Sequence, residues 1–94
     1  MRVRLSPRAR EDLRGHIRHI ATDSPRSARL VRDRINNAVQ QLALHPESGR
    51  PGRVDGTREL VILHTSYIAP YRVTNGILEI FAFIHDSRQW PPEF

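Results

Sequence analysis

The sequence predicts an α+β domain in which a hairpin of two helices packs on a small antiparallel sheet, in the order β-α-α-β-β-β. Two apolar stripes with helical spacing lie in the N-terminal half, and a Ser-Pro pair precedes each stripe. Stretches of alternating apolar residues fill the C-terminal half. The length of 94 residues suits a single domain, residues 1–94, with one modest core.

The two helices are defined by where they begin and by their stripes. Ser6-Pro7 and Ser24-Pro25 each combine a capping hydroxyl with a proline that suits the first helical position. The second helix is predicted from Pro25 to Leu44, because His45 precedes a proline and resists helical backbone. A very short turn between two amphipathic helices makes a helical hairpin. The apolar stripes are Ala9, Leu13, Ile17, Ile20 and Ala21, then Ala28, Val31, Ile35, Ala38, Val39 and Leu42.

The first two strands flank this hairpin in sequence. Val3 and Leu5 alternate with arginines, which predicts a short strand at the N-terminus. Residues 46–56 contain three glycines and two prolines and are predicted to form a loop. Residues 57–64 follow as a strand that is apolar on both faces, which favours a central position in the sheet.

The last two strands form a predicted β-hairpin. They run from Tyr67 to Val73 and from Ile77 to Ile84, and Asn75-Gly76 between them is a strong turn pattern. Pro70 lacks a backbone donor, so it favours an edge position or a bulge for the first of these strands.

The charge is basic and unevenly distributed. The net charge is +5, and all 15 basic residues are arginines. Residues 1–34 hold ten arginines against four acidic residues, whereas residues 35–94 hold five against six. Guanidinium groups suit phosphate and carboxylate partners, although coding bias in a GC-rich genome would equally give an all-arginine set. The arginine-rich helix faces carry interspersed acids, a pattern typical of solvated surface.

Several classes of site are not expected. The chain has no cysteine, which excludes disulfides and thiolate metal sites. His16 and His19 are three apart, but no third ligand accompanies them, so we expect no metal and no cofactor. No stretch is long and apolar enough to span a membrane and the N-terminus has no apolar signal region, which predicts a soluble cytoplasmic protein.

Five short motifs in the C-terminal half, in this order behind a helical hairpin, resemble the RelE/ParE superfamily of toxins from bacterial type II toxin–antitoxin systems. The resemblance covers essentially the whole chain. The motifs are Ser-Gly-Arg-Pro-Gly-Arg at 48–53, Gly-Thr-Arg-Glu-Leu at 56–60, Tyr-Ile at 67–68, Tyr-Arg-Val at 71–73 and His-Asp-Ser-Arg-Gln-Trp-Pro at 85–91.

The resemblance implies a RelE/ParE-like fold and a toxin that an antitoxin holds inactive by wrapping it with a disordered tail. RelE-like members cleave mRNA on the ribosome, and ParE-like members poison DNA gyrase. RelE-like sites commonly place an arginine after the tyrosine of the middle strand, where this chain has Ile68, and they use lysines, which this chain lacks. The resemblance therefore favours a ParE-like gyrase inhibitor that acts through its surface rather than as an enzyme.

The expected partner is a ribbon-helix-helix, ParD-like antitoxin in a toxin–antitoxin hetero-oligomer. In operons of this family the antitoxin normally carries the DNA-binding function. Two alternatives remain open: a ribosome-dependent mRNA endonuclease that needs no metal, and an inactive homologue that only binds antitoxin.

For the nuclease alternative, His85 and Arg88 are the candidate catalytic residues. They follow the last strand, where some superfamily nucleases carry a histidine and an arginine. A histidine can serve as general acid or base near neutral pH. The structural alternative is that His85 caps the strand end while Arg88 pairs with Asp86 or with an antitoxin carboxylate.

Four arginines are candidates for binding the target or the antitoxin. Arg50 and Arg53 lie in the Gly/Pro loop, where they are either contact residues or merely solvated. Arg58 and Arg72 lie on neighbouring strands and could form one basic patch. Equally, they could pair with Glu59 or Glu79 across the sheet.

Three aromatic residues complete the candidate binding set. Phe81 and Phe83 are predicted on the face opposite Leu78 and Ile80, which suggests a second apolar surface that an antitoxin segment would cover. Cover from the C-terminal tail is the alternative. Trp90 could enter a partner's pocket or stack on a base, or it could fold back to close the core.

Overall fold

The computed structural model describes residues 1–86 and confirms the α+β class. The helical hairpin covers one face of a six-stranded sheet in the order β1-β5-β4-β3-β2, and β6 pairs with β4. Neither described helix is long and apolar enough to cross a membrane. The elements are β1 (Arg2–Leu5), α1 (Pro7–Asp23), α2 (Pro25–Leu44), β2 (Arg50–Pro51), β3 (Arg58–Val61), β4 (Tyr67–Thr74), β5 (Ile77–Ile80) and β6 (Ile84–His85).

Both helices begin at the predicted serine caps. The Ser6 hydroxyl accepts a hydrogen bond from the Ala9 N–H at 3.0 Å, and the Ser24 hydroxyl accepts one from the Ser27 N–H at 3.1 Å. Each cap satisfies an orphan donor of the first turn and contributes about 1 kcal/mol. The predicted range from Pro25 to Leu44 for the second helix is confirmed.

The sheet is mixed rather than wholly antiparallel. Strand β1 runs parallel to β5, with Val3 opposite Leu78 and Leu5 opposite Ile80. The other strand pairs are antiparallel. Alternation of apolar residues fixes the face that a strand buries, but it does not fix the direction of the neighbouring strand. The β4–β5 turn is as predicted: Asn75 and Gly76 have φ angles of 52° and 76°, as a type I′ turn requires.

Strand β4 is the centre of the sheet, so of the two alternatives predicted for Pro70, an edge position or a bulge, the edge position is wrong. Pro70 lies opposite Glu59 of β3, and its carbonyl accepts a hydrogen bond from the Phe81 N–H at 2.9 Å. The N and C=O of one strand residue point to the same side. The missing N–H of Pro70 therefore faces the break between β5 and β6, where the ladder has no bond to lose.

That break was not predicted, because residues 77–84 were expected to form one strand. The chain instead leaves the ladder after Ile80 and returns at Ile84. Two side chains one turn apart on α1 satisfy the freed backbone of Phe83. Its N–H donates to the Asp12 carboxylate at 3.1 Å, and its carbonyl accepts from Nε2 of His16. The break turns Phe83 into the core, where it is 1% exposed.

The core lies between the helical hairpin and the covered face of the sheet. Its members come from both predicted stripes and from alternate positions of the central strands, as the periodicity indicated. Burying each large apolar side chain contributes about 1.5–3 kcal/mol. The largest fully buried side chains are Tyr71, Phe83, Ile35, Leu42, Ile62, Leu78, Ile80 and Pro70.

Candidate functional site

The predicted loop at 46–56 contains a two-residue strand, β2, which places two candidate arginines on one carboxylate. Arg50 lies opposite Glu59 in the β2–β3 ladder. Its Nε and Nη2 lie 3.0 and 2.9 Å from Oε1 of Glu59. The backbone N–H of Arg53 donates to Oε2 at 2.8 Å, and its Nε lies 3.2 Å from the same oxygen. The Glu59 residue is 3% exposed.

The electrostatics of this ion-pair cluster favour a charged Glu59. Burial alone would raise the pKa of Glu59, because it disfavours the charged form. The hydrogen bond from the Arg53 N–H, the hydrogen bond from Arg50 and the charge of Arg53 oppose burial and outweigh it. The net result is a pKa of Glu59 below its ordinary value of 4.5. Arg50 and Arg53 therefore share one negative charge within the molecule.

Arg58 and Arg72 do not form the predicted cross-strand ion pairs. Glu59 is taken by the loop arginines, and Glu79 pairs instead with Arg4 of β1 at 3.3 Å. Both candidates reach backbone carbonyls. Nη1 of Arg58 donates to the carbonyls of Glu47 and Gly49 at 3.2 and 3.0 Å, and Nε of Arg72 donates to that of Gly56 at 3.2 Å.

Arg58 and Arg72 nevertheless share one surface, which we name the basic depression. Their side chains line it together with Glu47 and with Met1 and Val73, which are about half exposed, so the two arginines leave a net positive charge there. The guanidinium group of Arg72 also lies over the ring of Phe81, 5.6 Å from its centroid, where a cation is attracted to the ring face. The structure thus combines positive charge and apolar surface at this place.

Tyr71 fixes the loop that carries these arginines. Its hydroxyl donates to the Pro46 carbonyl at 2.7 Å and accepts from the Gly49 N–H at 3.0 Å. A Cβ at position 49 would lie 2.5 Å from that hydroxyl, so glycine is required there. Burial raises the pKa of Tyr71, partly offset by the Gly49 hydrogen bond and the charge of Arg58. The neutral hydroxyl therefore anchors the loop as both donor and acceptor.

The nuclease candidate His85 lies on the face of the sheet opposite Arg72. It pairs with Tyr67, which is five residues from Arg72 on the same strand, so the side chains of these two β4 residues point to opposite faces. Nδ1 of His85 is 3.4 Å from a carboxylate oxygen of Asp86, and its ring meets the Tyr67 ring edge-on at 5.8 Å. The other candidate, Arg88, lies outside the described residues.

His85 opens into a groove with a carboxylate-rich lining, which we name the histidine groove. The ring of His16 stacks against that of Tyr67 in this groove at 4.4 Å. Within residues 1–86 no arginine lines it, and no three side chains there are placed to hold a metal ion. The lining residues are Glu11, Asp12, Gly15, His16, His19, Tyr67 and His85.

The aromatic candidates Phe81 and Phe83 lie in different environments. Phe81 and Phe83 were expected to share a second apolar surface. That prediction is wrong for Phe83, because the break after β5 turns its side chain into the core. Phe81 remains on the open face of the sheet, half-buried beside Arg72. Trp90 lies outside the described residues.

An apolar groove between α2 and β3 was not predicted from the sequence. Strand β3 was expected to be central, but β2 pairs only with its first two residues, so its outer edge is open at Leu60 and Val61. Leu63 is 72% exposed beside that edge. We name this surface the β3 groove, and its lining includes Leu60, Val61 and Leu63, with Ala38, Leu42 and Arg34 from α2. The sequence signal that could have indicated this groove is the presence of apolar residues on both faces of residues 57–64.

A family model of the ParE toxin of the type II toxin–antitoxin system parDE matches residues 3–90. The chain belongs to the ParE toxin family. This ParE-family toxin is 43% identical over 90 residues to "Putative toxin Y4kP" of Sinorhizobium fredii, covering 96% of this chain and 93% of that protein. It also matches a solved structure described as a chromosomal ParDE TA system from P. aeruginosa, with a TM-score of 0.80 and 25% identity, covering 90% of this chain and 95% of that one. The ParE-like family inferred from the motifs is confirmed.

Proposed function

We propose that this ParE-family toxin acts in the cytoplasm by inhibiting DNA gyrase through its surface, and that a ribbon-helix-helix, ParD-like antitoxin neutralises it. One observation carries the choice of a surface mechanism over catalysis. Arg50 and Arg53 are paired with Glu59 on one face of the sheet, whereas His85 lies on the opposite face among carboxylates.

Cleavage of RNA without a metal needs a general base near the attacking hydroxyl and cations around the phosphorus. Here Arg50 and Arg53 share the buried charge of Glu59, which removes much of their attraction for phosphate. In the histidine groove, no arginine of the described residues lines the surface beside His85, so no guanidinium group is placed there to hold a phosphate. These arrangements disfavour the nuclease alternative.

The target contact is assigned to the basic depression. Arg58 and Arg72 supply positive charge there, and the exposed parts of Met1 and Val73 supply apolar area. Arginine set among apolar groups is a common composition for protein interfaces. Arg50, Arg53 and Tyr71 then act indirectly, because they fix the loop on which Arg58 rests.

The antitoxin contact is assigned to the β3 groove. An open strand edge beside exposed Val61 and Leu63 fits an extended peptide that adds a strand and inserts alternate apolar side chains. Arg34 lines the groove and the chain has a net charge of +5, so the complementary segment is acidic as well as apolar.

The target is tested by inducing the chain in growing bacteria and following thymidine and amino-acid incorporation. We expect DNA synthesis to fail first and purified chain to inhibit supercoiling by gyrase. Arg58→Glu with Arg72→Glu should relieve toxicity, whereas His85→Ala and Arg88→Ala should not. A first collapse of translation that His85→Ala rescues would establish the nuclease instead. Growth unaffected by the wild-type chain would indicate an inactive homologue.

The β3 groove is tested by calorimetric titration with the cognate antitoxin. Leu63→Asp places a charge in the apolar groove and should weaken antitoxin binding at least about 10-fold while leaving gyrase inhibition unchanged. Leu30→Asp is the matched control, because Leu30 is also an exposed leucine but lies on α2 outside the groove. Equal affinity of the two variants would show that the antitoxin binds elsewhere.

A further inference from the structure

The helical hairpin carries arginines without internal partners. Arg10 and Arg18 on α1, and Arg26 and Arg29 on α2, are exposed. None of their guanidinium groups makes an ion pair or a hydrogen bond within the part of the chain that the structure describes. An exposed cation without a counter-ion retains its full attraction for an external anion.

The acidic residues of the two helices do not neutralise this set. Asp12 bonds to the backbone of Phe83 and lies 3.6 Å from Arg8. Glu11 is 3.6 Å from Arg14, and Asp33 is 3.6 Å from Arg32. Asp23, at the end of α1, is the remaining acid. The four unpaired arginines with Asp23 leave a local net charge of +3.

The spacing of the arginines is regular. Arg10, Arg14 and Arg18 are four residues apart, which aligns them along one side of α1 over roughly 12 Å. Arg26, Arg29 and Arg32 are three apart and form a second row on α2 over roughly 9 Å. α1 and α2 pack against each other, and packed helices lie about 8–10 Å apart, so one extended anion can reach both rows, which we name the arginine array.

The chemistry of the array favours the backbone of a nucleic-acid duplex. Guanidinium forks match phosphate oxygens, and duplex DNA offers one charge about every 3.4 Å along each strand. Neither helix contains phenylalanine, tyrosine or tryptophan, so there is no platform on which unpaired bases would stack. The array therefore suits contact with phosphates in a duplex and not single-stranded binding.

We propose that the exposed side of the helical hairpin binds the phosphate backbone of double-stranded DNA irrespective of sequence, through Arg10, Arg18, Arg26 and Arg29. This goes beyond gyrase inhibition and does not depend on it. If the proposed target is correct, the contact would concentrate the toxin on the duplex DNA that gyrase itself binds.

The test is the salt dependence of binding between the full chain and a short duplex of scrambled sequence, followed by fluorescence anisotropy from about 50 to 200 mM NaCl. Arg18→Gln with Arg29→Gln should lower the slope of log K against log salt by about 2, because each lost phosphate contact lowers it by about 0.9. Arg2→Gln with Arg4→Gln removes the same charge from β1 and should leave the slope unchanged.

Three results would overturn the proposal. Equal losses of slope in the two double variants would show that net charge, and not the hairpin, attracts DNA. Tighter binding of a single strand of the same length would exclude the duplex as the preferred ligand. Absence of duplex binding together with salt-dependent binding of polyglutamate would assign the array to an acidic protein. Circular dichroism of each variant establishes that it is folded.

Discussion

The arginines of the sheet and those of the helical hairpin are one residue type in two physical situations. Arg50 and Arg53 clamp a buried carboxylate, and Arg58 hydrogen-bonds to backbone carbonyls. Arg18 and Arg29 are exposed and have no such partner within residues 1–86. Net charge alone therefore does not identify a binding surface. The internal partners of each arginine decide whether its charge stabilises the fold or remains available to a ligand.

The largest effect on stability is expected for Glu59→Gln. This variant removes the charge that Arg50 and Arg53 share while keeping the side-chain shape. We expect the free energy of unfolding to fall by about 1–3 kcal/mol, because charge-assisted hydrogen bonds to a buried acceptor are lost. Urea denaturation at neutral pH measures it. The control is Glu79→Gln, whose ion pair with Arg4 is partly exposed and should contribute less than about 1 kcal/mol. Equal losses of unfolding free energy in Glu59→Gln and Glu79→Gln would show that the buried ion-pair cluster stabilises the fold no more than a surface ion pair does.

The same carboxylate predicts a pH dependence. The pKa of Glu59 is lowered in the folded state, so its contribution is fully present above the ordinary value of 4.5 and is lost as pH falls through the folded pKa. Wild-type stability should therefore fall more steeply below about pH 5 than that of Glu59→Gln, since other carboxylates titrate alike in both. Denaturation midpoints measured across this range check it. Parallel curves would mean that the ion-pair cluster does not stabilise the folded state.

The smallest expected effect on the free energy of unfolding comes from replacing a single arginine in each of the two regions. Arg58→Gln should lower the free energy of unfolding by about 1 kcal/mol, because the carbonyls of Glu47 and Gly49 lose their donor. Arg29→Gln should change it by less than about 0.5 kcal/mol, as is usual for an exposed surface position. Thermal unfolding of both variants measures the difference. A larger loss of unfolding free energy for Arg29→Gln than for Arg58→Gln would mean that the helix arginine, and not the sheet arginine, stabilises the fold.

Local chemistry made much of the fold predictable. The caps at Ser6 and Ser24 bound the helices because a hydroxyl and the following proline act within one turn. Asn75-Gly76 set the β4–β5 turn for a similar reason, since both residues tolerate positive φ. Each of these features depends on neighbours in sequence, which a single chain displays.

What the sequence did not reveal depends on partners far along the chain. The break after Ile80 is held by Asp12 and His16, which lie 71 and 67 residues from Phe83. Arg50 and Arg53 reach Glu59 because residues 50–51 form a short ladder with β3. That strand was not predicted, because the surrounding segment is rich in glycine and proline. No local pattern encodes such choices. The roles predicted for Arg88 and Trp90, beyond the described residues, stay predictions.

The parallel pairing of β1 with β5 has a consequence for synthesis. β1 is synthesised before β5, so it cannot form its ladder until residues 77–80 are present. The Ser6 hydroxyl likewise has no acceptor until the Phe81 carbonyl has been synthesised. A nascent chain interrupted earlier would expose the apolar stripes of both helices with no sheet to cover them, and proteases would remove it. The sheet therefore cannot be completed before residues 77–80 have been synthesised.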